Sequence, residues 1–320
     1  MNHLIAFVSG FILDLLFGDP HFMPHPVKVM GRLIGFLTKK LNNGSGRKAK
    51  GFLMMLFLIV FSGGMSFLIL FFAYDLNPYF GMVVEAIMTY QCLAIKQLRR
   101  ESMLVYRELK KNDLTNGRKA VSMIVGRDTE SLSAEGVTKA AVETVAENTS
   151  DGIIAPMLFL AIGGPVLGMI YKAVNTMDSM VGYRNEEFGE FGFFPAKTDD
   201  VLNYLPARIS AVFMISACST GRDFDAKNAY RIWKRDRRKH ASPNSAQTES
   251  VAAGALHVQL AGDASYFGEI HHKEFIGDPD RSPETEDIKR MNDLMYATAF
   301  LGEIISVLGI AAVMLLSGAC

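Results

Sequence analysis

Residues 52–74 read FLMMLFLIVFSGGMSFLILFFAY, and this stretch decides the fold class. It holds no ionisable group before its terminal tyrosine. It also exceeds the roughly 18–20 apolar residues that a helix needs to cross a bilayer core. A second run, residues 294–320, is broken by one charge, Glu303. Other apolar stretches are interrupted: residues 4–17 contain Asp14, and residues 81–98 contain Glu85 and Lys96. Residues 153–174 and 205–221 are rich in Gly, Pro, Ser and Ala, the composition of re-entrant segments, buried helices or spans packed on other helices. Four to six membrane segments are expected, in a mainly α, polytopic membrane protein. The opening stretch has no leading basic residue and no small-x-small cleavage site, so it is read as retained.

Basic and acidic residues balance at 33 each, which argues against a nucleic-acid footprint over the whole chain. Locally the balance breaks. Lys39, Lys40, Arg47, Lys48 and Lys50 precede the first strong span, and Arg99, Arg100, Arg107, Lys110 and Lys111 follow the next. By the positive-inside rule both segments face the cytoplasm. The run RIWKRDRRK at 231–239 reads the same way, as a surface facing lipid headgroups. Cys92, Cys218 and Cys320 have no paired spacing, so neither a disulfide framework nor a zinc site is expected.

With no internal repeat, residues 1–320 read as a single membrane-embedded domain carrying helical polar insertions at about 99–152 and 222–292. In the first insertion, GRDT at 126–129 marks a turn. A helix should follow it, with Ser133 as N-cap and Glu135 in the first turn. Val137, Ala141 and Val145 form its apolar stripe, and Lys139, Glu143 and Glu147 the opposite face, so it is expected to be amphipathic. Residues 254–281 have strand-and-turn character.

Glu143, Glu147, Asn148 and Asp151 lie within nine positions, and two carboxylates on one helix face suit a hard cation such as Mg²⁺. A solvated face with a Lys139–Glu143 pair is the competing reading. NTMDSMVGYRN at 175–185 and KTDDVLNYLPAR at 197–208 add Asp178, Asp199, Asp200, Arg184 and Arg208. Arginines bind phosphate oxygens in a bidentate fork, although Asp199 could instead cap a helix and Arg208 could snorkel. GDPHFMPHP at 18–26 is a rigid loop; its prolines forbid the helix that would align His21 and His25, so a histidine metal site is not expected there.

These segments form an ordered series: GDP…PHPV…G at 18–31, VGRDT at 125–129, AAVETVAENTSDGIIAP at 140–156, YKAVNTMDSMVGYRN at 171–185, DDVLNYLPAR at 199–208 and SPN at 242–244. The series resembles the adenosylcobinamide-phosphate synthase (CbiB/CobD) family of cobalamin biosynthesis over residues from about 9 to 310. The resemblance implies a membrane enzyme that joins a propionate carboxyl of adenosylcobyric acid to the amine of aminopropanol phosphate, or a close analogue, with ATP consumed. An unactivated carboxylate does not react with an amine, so ATP would convert it to an acyl phosphate. Anionic substrates and a negatively charged transition state call for Mg²⁺ and cationic side chains.

On that reaction, Glu143, Glu147, Asp151 and Asp178 are assigned to metal or amine. Arg127, Arg184, Arg208, Lys172, Asn175 and Asn244 are assigned to substrate and phosphate, and Glu147, Asp199 and Asp200 to catalysis, with Asp199 or Asp200 as base. After SPN the family pattern continues Gly-Trp-like where this chain has SAQTES, which leaves residues 245–250 without an inherited role. The expected location is the cytoplasmic membrane, with the lipid bilayer and other cobalamin-biosynthesis enzymes as partners and the active site facing the cytoplasm. That placement requires that residues 153–174 and 205–221 do not both cross fully. A non-enzymatic membrane transporter, sensor or scaffold is the alternative; a transporter should show pseudo-repeats with interrupted spans in matching positions, and no such repeat is visible.

Overall fold

The computed structural model describes residues 1–20, 25–183, 185–221, 223–266 and 268–318. In chain order its helices begin with α1 (Asn2–Phe17), α2 (Pro26–Leu41), α3 (Arg47–Leu76), α4 (Pro78–Tyr90), α5 (Ile95–Lys110), α6 (Leu114–Ser122) and α7 (Ala134–Asn148). A π-helical turn, Thr149–Ile154, leads into α8 (Ala155–Val181), α9 (Phe193–Leu202), α10 (Tyr204–Cys218), α11 (Ala226–Asp236) and α12 (Ser245–Leu256). Four short strands follow, β1 (Leu260–Ala261), β2 (Ala264–Tyr266), β3 (Glu269–His271) and β4 (Phe275–Ile276), before α13 (Glu286–Ser317). The mainly α membrane architecture is therefore as expected. Among the described residues four helical stretches are long and apolar enough to cross a membrane: Arg47–Leu76, Pro78–Lys110, Ala134–Val181 and Glu286–Ser317. The bent pair α9 and α10 would make a fifth. At 16 residues α1 is shorter, about 24 Å at 1.5 Å per residue.

The chain divides into two compact units. Unit 1 comprises 1–94, 155–203 and 303–320; unit 2 comprises 95–154 and 204–302, and so gathers both polar insertions together with residues 204–221.

Unit 1 is built inside out relative to a water-soluble bundle. Along α3 the buried stripe includes Gly51, Ser62, Gly63 and Ser66, while Phe57, Phe61, Phe67 and Phe72 are exposed. Lipid tails remove the hydrophobic drive between helices, so small residues that permit close approach face inward. A Cβ at Gly63 would come within 2.7 Å of Ile170 Cδ1 on α8. Ile34, Met54, Leu58, Met177 and Phe191 supply the apolar cluster between α2, α3 and α8. Glu85, the acid expected inside an apolar segment, is neutralised locally. His3 Nδ1 lies 2.6 Å from its Oε1, and the Tyr74 hydroxyl donates to Oε2. α8 is interrupted beside this network, where Gly164 takes a left-handed φ of 58° ahead of Pro165.

Unit 2 is organised around α12, whose twelve residues are all buried. It packs against α7, α10 and α11, and β1 pairs antiparallel with β4 beside it. β2 and β3 form a separate antiparallel hairpin. Ser133 caps α7 as expected, its Oγ accepting from Gly136 N at 3.1 Å. The amphipathic expectation for α7 is corrected: residues from Val137 to Ala146 are buried on both faces apart from half-buried Lys139, because β1 and α12 cover the side that the charges suggested was wet.

The α11–α12 crossing leaves no room at Gly254, where a Cβ would sit 2.7 Å from Asn228 O and from Ala229 Cα. Gly254→Ala is expected to destabilise unit 2 by about 1–3 kcal/mol, the usual cost of overpacking, seen as a lowered unfolding midpoint in detergent. An unchanged midpoint would show that the two helices separate freely.

Candidate functional site

A cavity of about 180 Å³ in unit 2 brings together Arg127, Glu143, Glu147, His240, Glu249 and Lys273. They arrive on five supports. Arg127 comes from the loop between α6 and α7, in the VGRDT stretch, and Glu143 and Glu147 project from successive turns of α7. His240 stands in the loop after α11, Glu249 on α12, and Lys273 between β3 and β4.

Glu143 is only 8% exposed and is fully engaged: Oε2 takes the Arg127 guanidinium, and Oε1 accepts the Ala261 backbone N–H at 2.6 Å. Ala261 adopts a left-handed φ of 57°, a conformation costly for a residue with a Cβ, which turns its N–H onto the carboxylate. Glu147 Oε1 accepts from Ser245 Oγ at 2.7 Å, which ties α7 to the first residue of α12. Ser242 N donates to His240 Nδ1 at 3.0 Å. Burial holds His240 below its ordinary value, so the ring is neutral near pH 7 with its proton on Nε2. Glu249 is 5% exposed, and its Oε2 has no hydrogen-bond partner among the described residues. Burial, with Glu147 and Glu143 beside it, holds its carboxyl well above the usual carboxylate range.

Lys273 Nζ donates to the Tyr266 hydroxyl at 2.6 Å, and Tyr266 also lines the cavity. The β2–β3 hairpin that carries Tyr266 is tied down by Asp128, next to Arg127. Asp128 N donates to Ser265 O at 2.9 Å, and its carboxylate accepts from Ser265 Oγ and from Gly268 N at 2.8 Å.

The remaining expected residues are distributed as follows. Asp151 lies in the π-helical turn after α7, in the same unit. Asn244 Oδ1 accepts from Arg208 Nη1 at 3.2 Å, while the Arg208 guanidinium stacks over Tyr204 and also donates to its carbonyl, so these two hold the SPN turn to α10. Lys172, Asn175, Asp178, Asp199 and Asp200 belong to unit 1. There Asp199 is buried and accepts from Asn175 Nδ2 at 3.3 Å and Asn203 Nδ2 at 2.9 Å, and Asn203 accepts from Tyr171. Asp200 pairs with Lys197 at 3.0 Å beside an apolar cavity of about 300 Å³ lined by Tyr183, Asn185 and Phe193. Arg184 and His21 lie outside the described residues.

Among the described residues no group of three or more His, Cys, Asp or Glu side chains is placed to hold a metal ion. Both oxygens of Glu143 are engaged, by Arg127 and by Ala261 N. A larger open cavity of about 600 Å³ in unit 2 is lined by Asp223, Asp225, Lys227, His257, Arg281 and Arg290; of these, Arg281 and Arg290 bind Asp287, and His257 meets Asp225 and Asp280.

Glu249, His240, Lys273 and Tyr266 were not singled out by the sequence. One signal pointed to Glu249: it is the sole charge in SAQTESVAAGAL, a helix otherwise fit for complete burial. Its raised pKa has a consequence for stability. The folded state keeps a proton that the unfolded chain loses above about pH 4.5, so this group's contribution falls as pH rises toward its folded value. In ligand-free protein Glu249→Gln is expected to raise the unfolding midpoint at pH 8, with the gain shrinking toward pH 5. A gain independent of pH would contradict the assignment.

The CobD/Cbib protein family model matches residues 7–295. A cobalamin biosynthesis protein CobD from Clostridium perfringens is 42% identical over 307 residues, covering 95% of this chain and 97% of that one. CobD from Pelobacter propionicus is 44% identical over 296 residues, 92% of this chain and 91% of its own. The cobalamin biosynthesis protein CbiB of Salmonella arizonae is 42% identical over 302 residues, 93% and 94% of the two chains. No solved structure matches. The matched region takes in every ordered motif and all the cavity residues, and on that similarity the chain belongs to the CobD/Cbib family.

Proposed function

We propose that this chain acts in cobalamin biosynthesis as an ATP-dependent amide synthase. It would join a propionate carboxyl of adenosylcobyric acid to the amine of aminopropanol phosphate, or a close analogue, to give adenosylcobinamide phosphate. The observation that carries this reading is the convergence of VGRDT, the α7 acids and the segment after SPN on one small cavity. Motifs separated by about a hundred residues have no packing reason to present Arg, Glu, His and Lys to the same space; handling a small polar substrate is such a reason.

On this reading ATP activates the carboxyl, the amine attacks it, and ADP and phosphate leave. Mg²⁺ enters only as the ion that ATP carries, since Mg²⁺ commonly keeps several waters and binds through substrate phosphates. Glu147, positioned by Ser245, meets the small substrate. Lys273 contributes positive charge where phosphate oxygens are bound, and the Arg127–Glu143 pair holds the floor of the cavity. The chain works in the cytoplasmic membrane, where the span-capable helices hold it and ATP is supplied from the cytoplasmic face.

Purified full-length protein in nanodiscs, supplied with adenosylcobyric acid, aminopropanol phosphate and Mg-ATP, is expected to form the amide with one ADP per product, read by mass spectrometry. Glu147→Gln should lower kcat/KM for the amine about 100-fold, a loss of roughly 2.7 kcal/mol. Folded protein that yields no ATP-dependent product would sink the enzyme reading in favour of a transporter or scaffold. Orientation is checked separately: a single cysteine at position 197 should react with an impermeant thiol reagent from the cytoplasmic side, and labelling only from outside would reverse the placement.

A further inference from the structure

We propose that His3 and Glu85 are positioning residues: together they clamp the break in α8 and so fix the arm that carries Lys172, Asn175 and Asp178. The proposal rests on the amide-synthase reading, because those three stand among the residues that the family resemblance assigns to that reaction.

The case begins with a backbone carbonyl that has lost its helical donor. In an uninterrupted helix Ala161 O would accept from the N–H of residue 165, but residue 165 is proline and has none. Gly163 and Gly164 leave helical geometry just before it, Gly164 at φ 58° and ψ −160°. α8 is therefore two arms, 155–162 and 165–181, and their inner faces meet. The rings of Phe159 and Tyr171 stack with centroids 5.0 Å apart. Twelve residues of straight helix would separate them by about 18 Å. Such a break leaves carbonyls at the end of one arm and N–H groups at the start of the next, and lipid offers a partner to neither.

His3 on α1 and Glu85 on α4 meet both ends. His3 Nε2 lies 3.4 Å from Ala161 O, and its Nδ1 lies 2.6 Å from Glu85 Oε1. The same Oε1 is 3.4 Å from the position a Cβ would take at Gly164, so the carboxyl group abuts the start of the second arm, where the helix dipole favours negative charge. The Tyr74 hydroxyl donates to the other oxygen. With Nε2–H on Ala161 O, a single proton serves the contact between Nδ1 and Oε1, and the pair is neutral as a whole, as apolar surroundings favour. All of these residues belong to unit 1.

What the clamp holds is the second arm. Lys172 and Asn175 are half-buried and three residues apart on one face of it, and half-buried Asp178 follows three residues on. Asn175 Nδ2 donates to Asp199 at 3.3 Å and the Tyr171 hydroxyl to Asn203 at 2.9 Å, so a shift of the arm is passed to the end of α9. Val174, Met177 and Val181 pack the arm into the apolar cluster with α2 and α3. That contact resists separation, but it is non-directional and does not fix sliding. Register along the axis comes from hydrogen bonds, and the clamp sits about 16 Å up the arm from Asn175. A misplacement of about 1 Å at reacting groups is enough to cost about 100-fold in rate.

The test combines hydrogen exchange and kinetics on full-length protein in nanodiscs. Glu85→Gln preserves both contacts, its amide donating to Nδ1 and accepting from Tyr74, whereas Glu85→Ala removes them. Glu85→Ala and His3→Ala should each speed exchange over residues 165–181 about 10-fold and leave residues 245–256 unchanged. Each should also lower kcat for amide formation about 100-fold with KM for the amine within about 3-fold, and Glu85→Gln should restore kcat to within about 3-fold. If Glu85→Ala speeds exchange everywhere it has lost the fold, and His3→Ala decides. Unchanged exchange over 165–181 in His3→Ala would overturn the proposal. So would kcat retained in the alanine variants, or Glu85→Gln as impaired as Glu85→Ala. Localised loss of protection in a protein that forms no amide even when unmodified would sink the amide-synthase reading and leave the clamp standing.

Discussion

The charge of Glu143 has to be neutralised inside unit 2, and the surroundings of the cavity follow from how that is done. A carboxylate only 8% exposed is stable when paired and hydrogen-bonded and strongly destabilising otherwise. Arg127 supplies the charge and Ala261 the second donor, at the expense of a left-handed backbone at a residue with a Cβ. One side chain thereby ties the loop before α7, the helix itself and strand β1 into a single arrangement. Asp128, the next residue, extends the tie to the β2–β3 hairpin, so Tyr266 is placed by the same few contacts that place Arg127.

With Glu143 engaged, the reactive character of the cavity passes to its neighbours. Glu147 has one oxygen in use and Glu249 leaves one without a partner among the described residues, a division of labour among chemically identical side chains that arises from environment alone. His240 is kept neutral by burial and Lys273 is steadied by a phenol. The result is a small space holding carboxyl groups, a neutral imidazole and a cation.

Unit 1 meets a different solvent. Its exposed surface on α3 is rich in phenylalanine and its buried stripe mixes Gly51, Ser62, Gly63 and Ser66 with Met54, Met55 and Leu58, whereas in unit 2 α12 is buried on every face. Two of its acids are answered locally, Glu85 by His3 and Tyr74, and Asp199 by Asn175 and Asn203, whereas both carboxyl oxygens of buried Glu303 on α13 have no hydrogen-bond partner among the described residues. Such pairing is what low-dielectric surroundings demand of an ionisable group, and it makes Asp199 part of a buried hydrogen-bond network.

The sequence by itself determined the membrane class, the strongest spans, the cap at Ser133 and the family, because each is written in contiguous residues: run length, a capping serine, ordered motifs. It also marked Arg127, Glu143 and Glu147, though it read the α7 charges as a wet face, since periodicity reports which residues share a side and not what covers that side. The tertiary structure decided the rest. It separated the polar insertions, with residues 204–221, into a compact unit of their own and assigned Asn175, Asp178, Asp199 and Asp200 to the other. It also brought Glu249, His240 and Lys273 to a cavity that no local pattern announces. Those three are joined by packing across α7, α12 and the strands, and a contact between residues a hundred or more positions apart leaves no trace in spacing.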